Sequence, residues 1–245
     1  QTLEQLGDMA KQVVRVILDR AARYGRLDMQ QVREVEEVER RSQAEMSLIF
    51  QRIGQPERLA LFDMGGTLLK GRFVVNLAQR TGKTNELNAY LDQAVMSPAE
   101  RTAKIASLFA NVPRSVFEEA AMSMPLMTGA VDVVIALRKA GYRVGIVSDS
   151  FRVATEIVRR RVFADFSIAH MMRFHKGIAT GEVTISPAMK HENGCKLHDV
   201  CKQNVLLHVC EQLGLTPDKV IAIGDSDPDS CMVRSAGIGI AFPPK

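Results

Sequence analysis

The sequence predicts an α/β fold: a Rossmann-like parallel sheet with an inserted helical cap, preceded by an N-terminal helical hairpin. Three observations predict it. The apolar period changes from helical to that of a short buried strand at 54–62; strands and helices alternate from about 130 to the end; and about 70–127 shows helical periodicity alone.

Over 1 to about 24, Leu3, Leu6, Ala10, Val13, Val14, Ile17, Leu18 and Ala21 form one apolar stripe at helical spacing. Gly25 breaks it, Asp28 with Gln31 resembles an N-terminal capping pair, and Met29, Val32, Val35, Val38, Met46, Ile49 and Ile53 continue a looser stripe. The pair reads as a hairpin over 1–57, ended by Gly54-Gln55-Pro56. Neither stripe has enough core to stand alone, so the hairpin is expected to mediate a dimer, join upstream domains, or brace its own chain. Gln1 at the start leaves room for preceding sequence.

The second domain, 58–245, opens with a strand, 59–62. Then come helix 130–140, strand 143–147, helix 151–161, strand 165–169, helix about 195–213, and strands 219–223 and 237–241. Such alternation implies parallel strands with right-handed crossovers. The interval 70–127 is too long for a simple connection and reads as the cap. His175-Lys176-Gly177 within 171–185 suggests a hairpin beside the sheet.

With 245 residues, 46% hydrophobic and 24% charged, the chain excludes disorder and fibrous repeats. No apolar run reaches the roughly 18 residues of a membrane helix, and no signal core follows the N-terminus. The charge of +4 is spread among acids, so neither nucleic acid nor a membrane is expected as partner. Four cysteines clustered near the C-terminus suit free thiols in a reducing cytoplasm.

Ligands of an open parallel sheet gather at the carboxyl ends of its strands. There stand Phe62-Asp63-Met64-Gly65-Gly66-Thr67, Val147-Ser148-Asp149-Ser150 and Gly224-Asp225-Ser226-Asp227-Pro228-Asp229, with Lys202 in the helix before the last. Together they offer a carboxylate nucleophile, a hydroxyl, an ammonium and a paired-acid metal platform. Singly, an Asp before glycines is most often a turn and a lysine near a helix start is solvated.

In this order and spacing the motifs resemble the haloacid dehalogenase superfamily, nearest its phosphoserine-phosphatase-like branch. The likeness covers roughly 58–245 and extends to Leu126-Met127-Thr128-Gly129-Ala130, Gly141-Tyr142-Arg143-Val144, Gly177-Ile178-Ala179-Thr180-Gly181-Glu182-Val183 and Ala236-Gly237-Ile238-Gly239-Ile240-Ala241. The resemblance implies a Mg²⁺-dependent phosphatase acting on a small phosphorylated metabolite through an aspartyl-phosphate on Asp63. It implies Ser148 and Lys202 as the other catalytic groups, and Mg²⁺ held by Asp63, the Gly65 carbonyl and Asp225 with Asp229 in support. The expected substrate-binding set is Ser148, Asp149 and Lys202 with Arg72, which could attract an anionic substrate group although a helix-start arginine is more often simply solvated.

Two positions depart from the branch. The family's phosphatases usually place a second aspartate two residues after the nucleophile, to protonate the leaving oxygen and then activate water; here it is Gly65. Such acid–base help is typically worth about 10²–10⁴-fold. Three explanations stand: an inactivating change, a substrate such as an acyl phosphate that needs no protonation, or an acid supplied by the cap. A catalytically weak or inactive phosphatase-like domain with a binding or regulatory role is therefore the alternative, with phosphoryl transfer to an acceptor other than water as a third. The branch's cap glutamate falls at Arg72, and Lys104 matches its arginine only loosely, so phosphoserine is not assigned as substrate.

His191, Cys195, His198 and Cys201 are zinc-type ligands at spacings of four, three and three. On a helix beyond Asn193 they would converge only in part, so buried cysteines with surface histidines are expected.

Overall fold

The computed structural model describes residues 54–91, 96–191 and 193–242, together with the helical positions Glu37, Arg40, Ala44, Ser47, Leu48 and Gln51. The chain divides into two units, Gln1–Met46 and Ser47–Lys245. In the first, Glu37 and Arg40 form an ion pair one helical turn apart. The hairpin pairing expected over 1–57 lies outside the described residues.

In the second unit, strand β1 (Arg58–Phe62) is buried at four of its five residues, which is why it reads as an unbroken apolar run. It lies between β2 (Tyr142–Phe151) and β5 (Val220–Gly224) in a six-stranded sheet of order β4-β3-β2-β1-β5-β6. Strands β3 (Phe166–His175) and β4 (Ile178–Thr184) are antiparallel, and every other pair, including β5 with β6 (Ile238–Ala241), is parallel. The chain builds outward from β1 to β4 and then returns to the other side of β1. The order therefore reverses between β1 and β5, and a crevice opens at their carboxyl ends.

The turn joining β3 to β4 has Lys176 at φ 48° and Gly177 at φ 78°, the two positive values a tight two-residue hairpin needs. Both β2 and β3 run past the bounds that apolar pattern suggests. Against β3, Val147 pairs Ile168 and Phe151 pairs His170, so Ser148-Asp149-Ser150 stands opposite Ala169 alone. This bulge lets a polar tripeptide continue a strand while bringing the Asp149 carboxylate within 3.7 Å of Lys202.

Between β1 and β2 stand helices α1 (Phe73–Thr81), α2 (Thr84–Leu91), α3 (Pro98–Leu108) and α4 (Arg114–Ser123), followed by α5 (Ala130–Lys139). Ser97 caps α3 by accepting the Glu100 N–H at 3.2 Å, with Pro98 in the first turn, where its missing N–H costs nothing. The segments entering and leaving α1–α4 pair with each other, Lys70 N donating to Pro125 O and Met127 N to Leu68 O. The helical face is held to the sheet by a ring cluster: Phe117 lies 5.2 Å edge-on from Phe174 and 6.3 Å from Phe151, and Phe109 stands 6.4 Å from Phe151. Backbone bonds from Asn111 and Arg114 to Ala179 and Gly177 tie the same helices to the β3–β4 hairpin.

After α6 (Arg152–Val162) and the hairpin, the chain reaches α7 (Lys202–Leu213) and, beyond β5, α8 (Ser230–Ser235). Helix α7 starts at Lys202, not near 195 as the periodicity suggests. Cys201 is extended at φ −149°, and the Asn204 side chain takes the Cys195 N–H at 2.7 Å, holding the preceding chain as a loop. Leu197, which supplied part of the apparent helical stripe, is 77% exposed. None of the described helices is long and apolar enough to cross a membrane.

Candidate active site

Asp63 follows β1 directly, and its N–H continues the ladder to Ile223 O at 2.8 Å, fixing it beside the end of β5. The chain then folds back sharply, Leu68 and Leu69 both donating to Met64 O and Gly66 to Leu69 O. Gly66 has φ 90°, and a Cβ there would run into the Asp225 carboxylate, so only glycine fits. Gly65 is different. It does not lie in the left-handed region, and a Cβ would stand 3.4 Å from both Arg72 Cα and Gly71 O, ordinary contact distances.

Lys202, at the start of α7, is buried and reaches across the crevice. Its Nζ donates to Asp63 Oδ1 at 2.5 Å and Asp229 Oδ1 at 2.6 Å, with Asp149 Oδ1 at 3.7 Å. Asp229 is used on both sides: its Oδ2 accepts from Asp225 N, Ser226 N and Ser226 Oγ at 3.2, 3.1 and 2.9 Å. Gly224 has no room for a Cβ because Asp229 fills the space beside it. Asp225 is half-buried, and Thr67 Oγ1 approaches its Oδ1 at 3.4 Å. Ser148 is buried beyond Val147, where its Oγ accepts the Ser150 N–H at 3.2 Å.

Carboxylate oxygens of Asp63, Asp225 and Asp229 lie within 4.8 Å of one another. Asp63, Asp149 and Asp229 face a single buried ammonium while Asp225 stands beside Asp63 and Asp229, and such a hard-oxygen cluster suits a small dication. The residues fit Mg²⁺: Asp63 and Asp225 have the reach to ligate it, while Asp229, saturated by Lys202 and the 225–226 amides, supports them.

The electrostatics follow from the same crowding. Burial pushes the Asp63 carboxyl up to about 7; Asp229 and Asp149 add to the rise, and Lys202 opposes it. Lys202 loses hydration, but Asp63, Asp149 and Asp229 more than offset this, so its pKa is raised and it stays charged. Lys202 in turn holds Asp149 below the usual carboxylate range.

Of the positions singled out in the sequence, Asp63, Ser148, Asp149, Lys202, Asp225 and Asp229 meet at the ends of β1, β2 and β5 or on α7. Arg72 joins them at the entry to α1: its Cγ lies 3.6 Å from where a Gly65 Cβ would stand, and its charge is felt at Asp149. Lys104 is an exposed residue of α3 with no described contact to these groups. Cys201 immediately precedes Lys202, and it groups with Cys195, His198 and Cys231. His191 turns away, its Nε2 3.4 Å from Glu211 and its Nδ1 accepting from Asn193 N, so of the four zinc-type residues read from spacing His191 stands apart and Cys231 takes its place in the cluster.

Sequence reasoning missed His170. It is fully buried in β3, accepts the Ser186 N–H on Nδ1 at 3.1 Å, and its Nε2 has no hydrogen-bond partner among the described residues. A signal was present: His170 directly follows the strand expected at 165–169, at the same kind of strand end as Asp63, Ser148 and Asp225. Burial presses it down to about 4, with Asp149 opposing and Lys202 adding. Between its unfolded value of 6.5 and about 4, the unfolded chain therefore takes up a proton that the folded chain refuses, and stability falls as pH drops. Asp63 acts with the opposite sign but is common to parent and variant. His170→Asn, which keeps an acceptor for Ser186 N, is expected to lose less unfolding free energy than the parent between pH 7 and 4. The difference should be on the order of 3 kcal/mol by chemical denaturation; parallel curves would show that His170 is charged in the fold.

Residues 60–234 match the family described as haloacid dehalogenase-like hydrolase. The chain is 30% identical to a phosphoserine phosphatase of Mycobacterium tuberculosis over 76% of its own length and 44% of that protein, so it spans less than half of this relative. It is 30% identical to a phosphoserine phosphatase of Halobacterium salinarum over 76% of this chain and 86% of that one. A solved phospho-aspartyl intermediate analogue of phosphoserine phosphatase superposes with a TM-score of 0.65 at 24% identity, covering 76% of this chain and 86% of that chain. The last likeness concerns the fold alone, and it agrees with the α/β architecture.

Proposed function

Because the chain belongs to the haloacid dehalogenase-like hydrolase family, we propose that it is a Mg²⁺-dependent phosphatase of small phosphorylated metabolites, working in the cytoplasm through a covalent aspartyl-phosphate on Asp63. The observation that carries this reading is a buried carboxylate, Asp63, sharing Lys202 with Asp229 within 4.8 Å of Asp225. In the first step an Asp63 oxygen bonds to phosphorus, and the bond from phosphorus to the substrate oxygen breaks, its electron pair leaving with that oxygen. In the second, water attacks the phosphorus and gives up a proton, phosphate departs and the Asp63 carboxylate returns. Lys202 and Ser148 hold the phosphoryl oxygens and offset their charge. Asp63, Asp225 and the Gly65 carbonyl would hold Mg²⁺, which when bound would supply further charge compensation and favour ionised Asp63.

Gly65 offers no proton to the leaving oxygen. The reading therefore extends most naturally to leaving groups that carry their charge unaided, as a carboxylate released from an acyl phosphate does. Arg72 beside Gly65 favours a substrate with a second anionic group, in contrast to the glutamate that the resembling branch places there. The relatives' substrate, phosphoserine, is accordingly not carried over. Residues 1–57 are assigned association, within a dimer or with upstream sequence, or bracing of their own chain.

Gly65 also favours the second reading, a phosphatase-like binding domain with weak turnover. Phosphate release from alkyl, aryl and acyl phosphates with excess Mg²⁺ separates the two. Hydrolysis is expected to be fastest for acyl phosphates and slowest for alkyl esters; no release above the uncatalysed rate from any of them leaves the binding reading. Asp225→Ala is expected to weaken Mg²⁺ affinity by about 10²-fold, measured calorimetrically, and undiminished affinity would remove Asp225 from the ligand set.

A further inference from the structure

The segment 193–201 enters α7 without helix or strand of its own, yet it is tightly held. Cys201 N donates to Met189 O at 3.0 Å, Cys195 N to Asn204 Oδ1 at 2.7 Å, and Asn204 Nδ2 to Met189 O at 2.8 Å. A Cβ at Gly194 would strike the Asn204 side chain, so the loop is shaped around that one buried amide. Shaped this way, it turns Cys195, His198 and Cys201 toward Cys231 in the first turn of α8.

We propose that Cys195, His198, Cys201 and Cys231 form a structural zinc site that ties the loop delivering Lys202 to the helix that follows Asp229. All four donor atoms lie within 4.8 Å of one another. Cys195 Sγ is 3.8 Å from Cys231 Sγ and 3.4 Å from His198 Nδ1, and Cys231 Sγ is 3.7 Å from His198 Nδ1. A tetrahedron with Zn–S of about 2.3 Å and Zn–N of about 2.0–2.1 Å has edges of about 3.8 Å between sulfurs and about 3.6 Å between sulfur and nitrogen. The spacings match that tetrahedron, and no sulfur pair is near the roughly 2.05 Å of a disulfide. All four cysteines are free thiols.

Chemistry selects the metal. Three thiolates and an imidazole are soft donors that suit zinc, whereas the Asp63–Asp225–Asp229 cluster presents only hard oxygens for Mg²⁺. Four protein ligands leave no open position, which marks the site as structural, not catalytic. Burial alone does not explain the convergence: His198 is exposed and Leu197 projects into solvent. Thiols are weak hydrogen-bond formers, so hydrogen bonds among these groups do little to hold them together. Binding would release the thiol protons as the sulfurs coordinate.

The consequence reaches the crevice. Cys201 is the residue before Lys202, and Cys231 lies two residues after Asp229, the two groups joined at 2.6 Å. The zinc would brace that junction from outside. The assignment is independent of whether the crevice hydrolyses phosphate esters.

Metal content of the full chain, purified under reducing conditions with Mg²⁺ in excess, tests this directly. About one zinc per chain is expected, and cobalt in its place should show thiolate-to-metal charge transfer and the strong visible bands of a tetrahedral site. His198→Ala and Cys231→Ser should each fall to about a tenth of the parent zinc or less. His198→Cys should retain it, which guards against Cys231→Ser simply failing to fold. A chelator selective for zinc over magnesium should lower the parent melting temperature and leave that of His198→Ala unchanged. Zinc absent from the reduced parent, equal zinc in all variants, or a metal-free chain lighter by two hydrogens through a Cys195–Cys231 disulfide would each overturn the proposal.

Discussion

Replacing Gly65 with aspartate is expected to raise turnover of alkyl phosphates by about 10²-fold or more, a barrier change of roughly 3 kcal/mol. The backbone permits it. The conformation of Gly65 lies outside the left-handed region, and the nearest atoms a Cβ would meet, Arg72 Cα and Gly71 O, stand 3.4 Å away. The new carboxyl would project beside Arg72, over the crevice floored by Asp63. An alkoxide leaves poorly without a proton, whereas a carboxylate or an activated phenolate leaves without one. The gain should therefore be large for alkyl esters and small for acyl and aryl phosphates, so the ratio of rates, not the absolute rate, is the measurement. Mg²⁺ affinity should hold, because the ligand offered from position 65 is the backbone carbonyl and survives the substitution. Equal alkyl phosphate rates for parent and Gly65→Asp would show that position 65 does not limit the reaction. The contrast with Gly66 sharpens the point: a side chain there would collide with Asp225, so Gly66 is fixed by the fold and Gly65 is not.

Much of the crevice could be read from sequence because parallel strands announce themselves twice. Burial on both faces makes β1 and β5 apolar runs, and the acids and hydroxyl that follow β1, within β2 and after β5 stand out against those runs. What could not be read depends on contacts between distant segments. Ser148-Asp149-Ser150 looks like a loop after a strand, and only pairing with β3 shows that it is a bulge within β2, with Phe151 resuming the ladder. The segment 195–201 has helical spacing in its apolar residues. Its fate was decided by Asn204, whose side-chain oxygen captures the Cys195 N–H, holds 195–201 as a loop and delays the start of α7 to Lys202. Cys231 has no local signal linking it to Cys195; they meet because α8 packs beside the start of α7. His191, nearer in sequence, is drawn instead toward Glu211. Spacing alone therefore brought out three of the four converging residues, and only tertiary packing supplies Cys231.

Asp63→Asn is expected to abolish turnover, both in the parent and in the Gly65→Asp background, because an amide cannot form the phosphoryl bond that a carboxylate forms. It should do so without unfolding the chain. Asparagine fills the same space, and Lys202 keeps Asp229 at 2.6 Å and Asp149 at 3.7 Å, so its ammonium is not left bare. Burial holds the Asp63 carboxyl at about 7, above its unfolded 3.8. A raised carboxyl contributes stability below the unfolded value and loses it as pH rises through the folded one. Keeping Asp63 ionised above pH 7 therefore costs stability when no dication is present. The asparagine variant is neutral and escapes that loss. At pH 8 without divalent cations it should melt no lower than the parent, and its advantage should shrink as pH falls from 7 toward 4. Added Mg²⁺ should then raise the parent's melting temperature more than the variant's, since the ion binds a folded site from which one carboxylate has been removed. Retained turnover in a folded Asp63→Asn would place the nucleophile elsewhere. A melting temperature well below the parent's at pH 8 would mean that Asp63 is held ionised by Lys202 more strongly than burial opposes it.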